Sequence, residues 1–381
     1  MGFRQKLKDF CHRVGQKADE RRLTTGAQPA RLPHEVRFIL RRKIWTCRAN
    51  LWGVRSQLIR KLSQEVLATQ TAGTGLPRRP FGRAGDPVSI ITLGGWHSVA
   101  RIPFDKADES ESIRLMHAAI DEGINFFDNA WDYHDGYAEE VMGRALAMDG
   151  KRDQVFLMTK NCERDYAGSV QDLEDSLRRL QTDRLDLWMF HECNYDNDPD
   201  WIFERGAMRA ALEARAAGKV RYIGFTGHKD PRIHAKMLSK ARDWDASLMP
   251  INVMDAQYRS FLNEVVPACH AMGAAPIGMK GFGGGWPNGR ILERMGLDPR
   301  ELLRFNLSQP VVSQVVGIKD MAQLKVAVEV ARDFVPMSEV EQDALLESVK
   351  TEAGDGRYET FKSTNEHDGP HHRKQHNFAV A

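Results

Sequence analysis

From residue 90 to residue 331 the chain repeats one pattern, a short apolar run that stops at a polar or charged residue followed by an amphipathic segment. Ile90 to Leu93 ends at Gly94 and Gly95, and Ile113, Met116 and Ile120 then mark a helix stopped by Gly123. Ile124 to Phe127 delivers Asp128, Val155 to Thr159 delivers Lys160, and Leu185 to Phe190 delivers His191, with a helix from about Ala138 to Met148 between the first two. Ser169 with Asp172 three residues on reads as a capping box opening a helix whose Val170, Leu173, Leu177 and Leu180 share a face. Val220 to Phe225 ends at Thr226, Gly227 and His228; Leu248 to Ile251 at Asn252; Ala275 to Met279 at Lys280; Val311 to Val316 at Gly317. Met321, Leu324, Val328 and Ala331 form the closing helical stripe. Eight strand-helix units over roughly 250 residues predict an α/β fold of the (β/α)8 TIM barrel type. The competing doubly wound sheet has no GxGxxG opening a helix after its first strand.

In such a barrel the C-terminal strand ends share one mouth, so Asp128, Lys160 and His191 are expected to converge there, with Tyr133 five residues beyond Asp128. Each residue alone has an ordinary structural reading: a cap, a surface charge, a buried imidazole, a pocket wall. Three ionisable groups at matching ends of consecutive apolar strands point instead to a site.

These residues carry a resemblance to the aldo-keto reductases over about Arg79 to Glu352. That family's aspartate, tyrosine, glycine, glutamate, glycine pattern is matched by Asp128, Tyr133, Gly136, Glu139 and Gly143; its lysine by FLMTK at Lys160; its histidine by DLWMFH at His191. The resemblance implies an NAD(P)H-dependent oxidoreductase interconverting an aldehyde or ketone and an alcohol, with Tyr133 as proton donor. A free tyrosine, with a pKa of about 10, is a reluctant acid. A Lys160 ammonium held by Asp128 is expected to lower that pKa, while His191 hydrogen-bonds the carbonyl oxygen. Trp96 and Trp131 are candidate walls of the substrate pocket. Two rivals stay open: a barrel lyase using Lys160 as a Schiff-base nucleophile, and a non-catalytic NADP-binding sensor.

The expected cofactor is NADP(H), ahead of NAD(H). Thr226 and Gly227 stand where the family has a Ser-Asn pair that grips the nicotinamide amide, and Met279 where a tyrosine stacks on the ring; His228 and Asn252 are expected to compensate. The run from Gly281 through Phe282 and Gly283 to Gly285, with Lys280, could cradle a pyrophosphate. Gly317, Lys319, Gln323 and Lys325 follow the last strand, where the family reads the adenosine phosphate.

Outside the repeat the composition changes. Residues 1 to 75 hold sixteen Lys and Arg against five Asp and Glu, a charge of +11, which leaves 2 − 11 = −9 for the rest. Expected domains are a basic extension over 1–76, which contains the amphipathic pieces Val36 to Trp45 and Leu51 to Leu67, the barrel over 77–353 and a polar tail over 354–381. The extension lacks the interleaved aromatics of a nucleic-acid platform, so a solvated arm is expected over a nucleic-acid or anionic-membrane contact. The tail carries His367, His371, His372 and His376; glycine, proline and charge around them favour a mobile, solvated segment over a metal site. Five scattered cysteines without a CxxC pair point to a reducing cytoplasm and to no thiolate metal site. Neither an eighteen-residue apolar run nor the apolar core of a signal peptide occurs, so an unexported protein acting on a small carbonyl or alcohol substrate is expected.

Overall fold

The computed structural model describes residues 57–71, 75–101, 105–106, 108–284 and 291–379. Its strands are β1 (Arg78–Phe81), β2 (Asp86–Ser89), β3 (Ile91–Gly94), β4 (Ala100–Arg101), β5 (Asp105–Lys106), β6 (Phe126–Asp128), β7 (Phe156–Asn161), β8 (Leu185–Phe190), β9 (Val220–Thr226), β10 (Ala246–Pro250), β11 (Ala275–Met279) and β12 (Ser313–Val316). Eight of them, β3 and β6 to β12, close into a parallel barrel with β12 beside β3. The expected (β/α)8 fold is the one observed, because buried strands that alternate with one-sided helices bury both faces of the sheet only when helices cover the outside.

Inside the barrel Phe126, Phe156, Met158, Leu187, Met189, Leu248 and Ile277 form the core. The antiparallel hairpin β1 and β2 closes the N-terminal end, where Phe81, 1% exposed, packs on Phe156 with ring centroids 4.8 Å apart. With that end filled by apolar rings, polar strand ends are left to the opposite mouth. Among the described residues no helix is long and apolar enough to cross a membrane.

Three expectations change. The helix expected to open at Ser169 spans Tyr166–Arg179, because Asp165 caps it by accepting from Gly168 N. Ser169 and Asp172 instead face inward and hold the end of β7: Ser169 Oγ accepts from Asn161 Nδ2 at 2.8 Å, and Asp172 from Cys162 N at 2.8 Å.

Residues 57–68, assigned to the basic extension, form a helix whose Ile59, Leu62 and Val66 are buried, and the compact unit begins at Arg55. Ile59 joins the core between barrel and helices, so apolar burial moves the boundary upstream of residue 76. The piece Val36 to Trp45 lies outside the described residues.

The tail is the largest correction. After the helix Glu339–Ala353 the chain crosses the C-terminal mouth through Thr360–Ser363 and Pro370–Gln375. Glu359, Phe361, Lys362, Asp368 and His372 are all buried. A solvated reading fails because Asp255, Asn194 and Arg164, which receive Lys362, Asp368 and His372 at the barrel mouth, lie more than a hundred residues away in sequence.

Removing residues 1–54 is expected to leave the thermal midpoint essentially unchanged. Removing residues 1–75 also strips Ile59, Leu62 and Val66, each worth about 1.5–3 kcal/mol, and should lower the midpoint by about 10 °C or more. Scanning calorimetry of the two truncations checks this; equal midpoints would return the helix to the dispensable arm.

Candidate active site

The strand register brings the first two charges together. Asp128 on β6 pairs with Met158 on β7, and Lys160, two residues on, projects to the same face. Lys160 Nζ lies 2.5 Å from Asp128 Oδ1 and 2.6 Å from the carbonyl oxygen of Asn129, and donates to Tyr133 Oη at 3.2 Å. Lys160 is 1% exposed. A buried ammonium requires this enclosure of oxygen acceptors. His191 follows β8, its ring edge-to-face with Tyr133 at 5.7 Å. The four expected catalytic positions therefore occupy one locus.

The loop from β6 to the next helix sets Tyr133. His134 and Asp135 take left-handed backbone angles, and Gly136, at φ 90°, starts the helix Tyr137–Leu146 with the Arg179 guanidinium where a Cβ would stand. Glu139, fully buried, accepts from Thr159 Oγ1 at 2.6 Å and pairs with Arg179 at 3.3 Å, tying this helix to β7. Trp96 stacks on His134 at 4.3 Å and meets Tyr133 edge-to-face at 5.2 Å. Trp131 packs under Arg179 and against His371 of the tail.

Two electrostatic expectations shift. Burial, reinforced by Asp128, Asp132 and Glu192, holds the Tyr133 hydroxyl well above its ordinary value, whereas a fall was expected from Lys160. Tyr133 is a protonated phenol at neutral pH. Burial also pushes the His191 imidazole down and raises Asp128 despite its ion pair. A residue missed from sequence stands beside His191: Asp132 Oδ1 lies 3.1 Å from His191 Nδ1, and against burial the His191 ring, Lys160 and Cys162 together hold Asp132 below the usual carboxylate range. His191 Nδ1 also lies 3.5 Å from Cys162 Sγ. A neutral ring with its proton on Nδ1 offers Nε2 as an acceptor, suited to the hydroxyl of an alcohol; with its proton on Nε2 it donates to a carbonyl oxygen.

The expected cofactor contacts divide into two groups. Around Gly317, His97 is half-buried and its imidazole is depressed to about 4 by desolvation and by Lys319, Lys280 and His134. Among the described residues neither Lys280 nor Lys319 has a carboxylate partner within ion-pair distance. Two lysines near His97 supply the positive charge that a phosphate or pyrophosphate requires. Gly281 and Gly283 carry the turn after β11, with Asn306 Nδ2 donating to the Gly281 carbonyl at 3.1 Å; Gln323 receives the Lys319 N–H at 3.0 Å. Gly285 lies outside the described residues.

The second group is committed to holding the structure. A Cβ on Gly227 would stand 2.3 Å from the Cys193 carbonyl oxygen, so no amide side chain fits there. Thr226 O accepts from Cys193 N, and the Asn252 amide serves Lys280 O, Glu359 Oε1, Met254 N and Asp255 N. Met279 lies half-buried at the barrel rim. His228 donates its N–H to Asn194 Oδ1 and faces Asp368 of the tail at 3.4 Å; burial depresses its imidazole to about 3.

The tail is thus latched onto these strand ends. Lys362 Nζ, fully buried, reaches Asp255 Oδ1 at 2.8 Å, Glu359 Oε2 at 2.9 Å and the Tyr258 carbonyl at 2.7 Å. Burial, with Asp255 adding, raises Glu359 to about 7. Further along, Asp368 takes hydrogen bonds from Asn194, Tyr195 and Lys229, and Gly369 N donates to both oxygens of Glu192. Glu192, directly after His191, has φ 47°, a strained value for a residue with a Cβ, and so marks the seam between barrel and tail.

Comparison with known proteins agrees with this geometry. Residues 90–332 match the sequence profile of the Aldo/keto reductase family. The aldo-keto reductase YhdN of Bacillus subtilis is 32% identical over 191 residues, covering 48% of this chain and 53% of that protein, so the aligned part spans about half of its length. The 6-dehydroglucose reductase of Novosphingobium aromaticivorans is 28% identical over 227 residues, 54% of this chain and 69% of that protein. Among solved structures, the holo form of aldo-keto reductase AKR11C1 from Bacillus halodurans superposes with a TM-score of 0.59 at 24% identity, covering 71% of this chain and 95% of that one. An aldo/keto reductase from Klebsiella pneumoniae, in complex with NADP and acetate, gives a TM-score of 0.58 at 24% identity over 71% and 94%.

Two outcomes test the latch and the glycine. Lys362→Met leaves Asp255 and Glu359 buried without their cation; a loss of about 3–5 kcal/mol is expected, read as a lowered midpoint and protease cleavage within the tail. Gly227→Asn should lower stability by about 1–3 kcal/mol without tightening nicotinamide binding; a stable variant with stronger binding by fluorescence titration would contradict the packing.

Proposed function

The chain belongs to the aldo/keto reductase family, and from that premise we propose that it is an NADP(H)-dependent oxidoreductase interconverting an aldehyde or ketone and its alcohol. The observation that carries the reading is the contact of Lys160 Nζ with both Asp128 Oδ1, at 2.5 Å, and Tyr133 Oη, at 3.2 Å. Reduced nicotinamide, when bound, supplies the hydride. Lys280 and Lys319 beside Gly317 are the groups that would hold its phosphates, and the positive surplus there supports a phosphorylated dinucleotide over an uncharged cofactor.

Tyr133 gives its phenolic proton to the oxygen that becomes the alcohol, and the phenolate that results is met by the Lys160 ammonium. Asp128 and the Asn129 carbonyl keep that ammonium charged and aimed. A raised Tyr133 pKa makes this neighbour more necessary, because phenolate in a buried carboxylate-rich site is costly without it. His191 positions the substrate oxygen, and Trp96, edge-on to Tyr133, is the wall beside it. The Lys160 enclosure weighs against the Schiff-base lyase, since attack on a carbonyl requires a neutral amine and three oxygen partners favour the ammonium.

Tyr133→Phe and Lys160→Met are each expected to reduce NADPH-dependent reduction of a carbonyl panel by about 10²- to 10⁴-fold, with cofactor affinity retained. Borohydride treatment with substrate should leave no adduct on Lys160. A trapped adduct, together with no substrate-dependent change in nicotinamide absorbance, would establish the lyase instead.

A further inference from the structure

Beside Tyr133 two side chains that the proposed reaction does not use, Asp132 and Cys162, face His191. His191 Nδ1 lies 3.1 Å from Asp132 Oδ1 and 3.5 Å from Cys162 Sγ, and the three donor atoms fall within 4.8 Å of one another. The residues come from three places, the loop after β6 and the ends of β7 and β8, so the grouping is made by barrel closure. Four-coordinate zinc bonds nitrogen and oxygen at about 2.0–2.1 Å and sulfur at about 2.3 Å. Tetrahedral edges are then about 3.3 Å between nitrogen and oxygen and about 3.6 Å between nitrogen and sulfur. The spacing on the page therefore needs little movement to enclose an ion.

Charge points the same way. Asp128 is matched by Lys160, and Arg164, which touches the Cys162 carbonyl, is matched by Asp198. Asp132 and Glu192 have no such cation within ion-pair distance among the described residues, beyond the His191 ring itself. The cluster is reachable at its rim, since the Asp132 and His191 side chains keep 13% and 11% exposure. A second cluster, Asp198, His372 and His376, is spoken for differently: Asp198 already accepts from Arg164 Nε, Asn194 N and Tyr195 N, and a guanidinium beside its carboxylate opposes a cation.

We propose that Asp132, Cys162 and His191 form a binding site for a thiophilic divalent cation of the zinc class, three protein ligands with a fourth position open toward Tyr133. Binding replaces the Cys162 thiol proton, which goes to solvent, and takes the His191 Nδ1 lone pair, so that the single proton of the neutral ring sits on Nε2. A loaded site thus fixes His191 Nε2 as a donor. Neutral His191 then matches a carbonyl oxygen.

The test uses the full-length, reduced protein and Co2+ as a spectroscopic stand-in for Zn2+, so it reads binding without turnover and is independent of the reductase reading. One equivalent of Co2+ is expected to give a near-ultraviolet thiolate charge-transfer band with intense tetrahedral visible bands, both removed by Zn2+. Cys162→Ser should abolish the charge-transfer band, Asp132→Asn should weaken binding by about 10-fold or more, and Cys193→Ser, whose thiol contacts the Phe190 carbonyl, should leave the spectrum intact. Far-ultraviolet dichroism verifies that each variant is folded. Absence of the band in the wild type, its persistence in folded Cys162→Ser, or only weak bands without thiolate character would overturn the site.

Discussion

The buried ammonium of Lys160 is the constraint from which the site follows. At 1% exposure it cannot remain charged without oxygen acceptors at close range, and Asp128, the Asn129 carbonyl and Tyr133 supply them. Those acceptors sit on β6 and its loop while the ammonium sits on β7, so only barrel closure in the observed register satisfies it. The apolar seal at the opposite end, built on Phe81, Phe126 and Phe156, lets the mouth spend its packing on ions. Stability is concentrated at one end of the barrel and chemistry at the other.

The barrel and the three strand-end residues Asp128, Lys160 and His191 were legible because both depend on local pattern. An apolar run of four to six residues stopped by a charge is visible in one window, and its repetition fixes the count. Asp132 was passed over although it stands between two residues that were singled out, since nothing in the string says that its carboxylate turns to an imidazole nearly sixty positions on. His97 was missed for the same reason: its role appears only when Lys280 and Lys319, from the last two strand ends, arrive beside it. Helix onset shows a smaller version. Ser169 and Asp172 have the spacing of a capping box, but Asp165 captures the cap and frees both for the end of β7.

The tail was misread because polarity was taken as a preference for water. Lys362, Glu359 and Asp368 are buried as parts of complete ion and hydrogen-bond sets, which burial permits when every group finds a partner. The same contacts explain why Asn252 and His228, chosen as cofactor groups, are engaged in holding the segment. The family's amide-gripping asparagine is absent for a related reason. Gly227 lies against the Cys193 carbonyl, and this close approach lets the β8 and β9 ends pack tightly enough to receive Asp368. Loss of one recognition group and gain of a latched segment are two sides of one packing solution.

Charge distribution then separates the mouth into two halves with different tasks. Near Gly317 two ammoniums surround a histidine that burial keeps neutral, so the potential is positive and suits phosphate. Around Tyr133 burial, reinforced by neighbouring carboxylates, Asp132 chief among those shared, holds protons tightly on the phenol of Tyr133, the thiol of Cys162 and the carboxyl of Glu192. In the proposed reaction a proton leaves such a site only toward an acceptor that is itself becoming negative beside the ammonium, which is the situation of a carbonyl oxygen receiving hydride. On that reading this half of the mouth ties proton release to charge developing on the substrate, and Lys160, at its centre, is the group through which the two events are coupled.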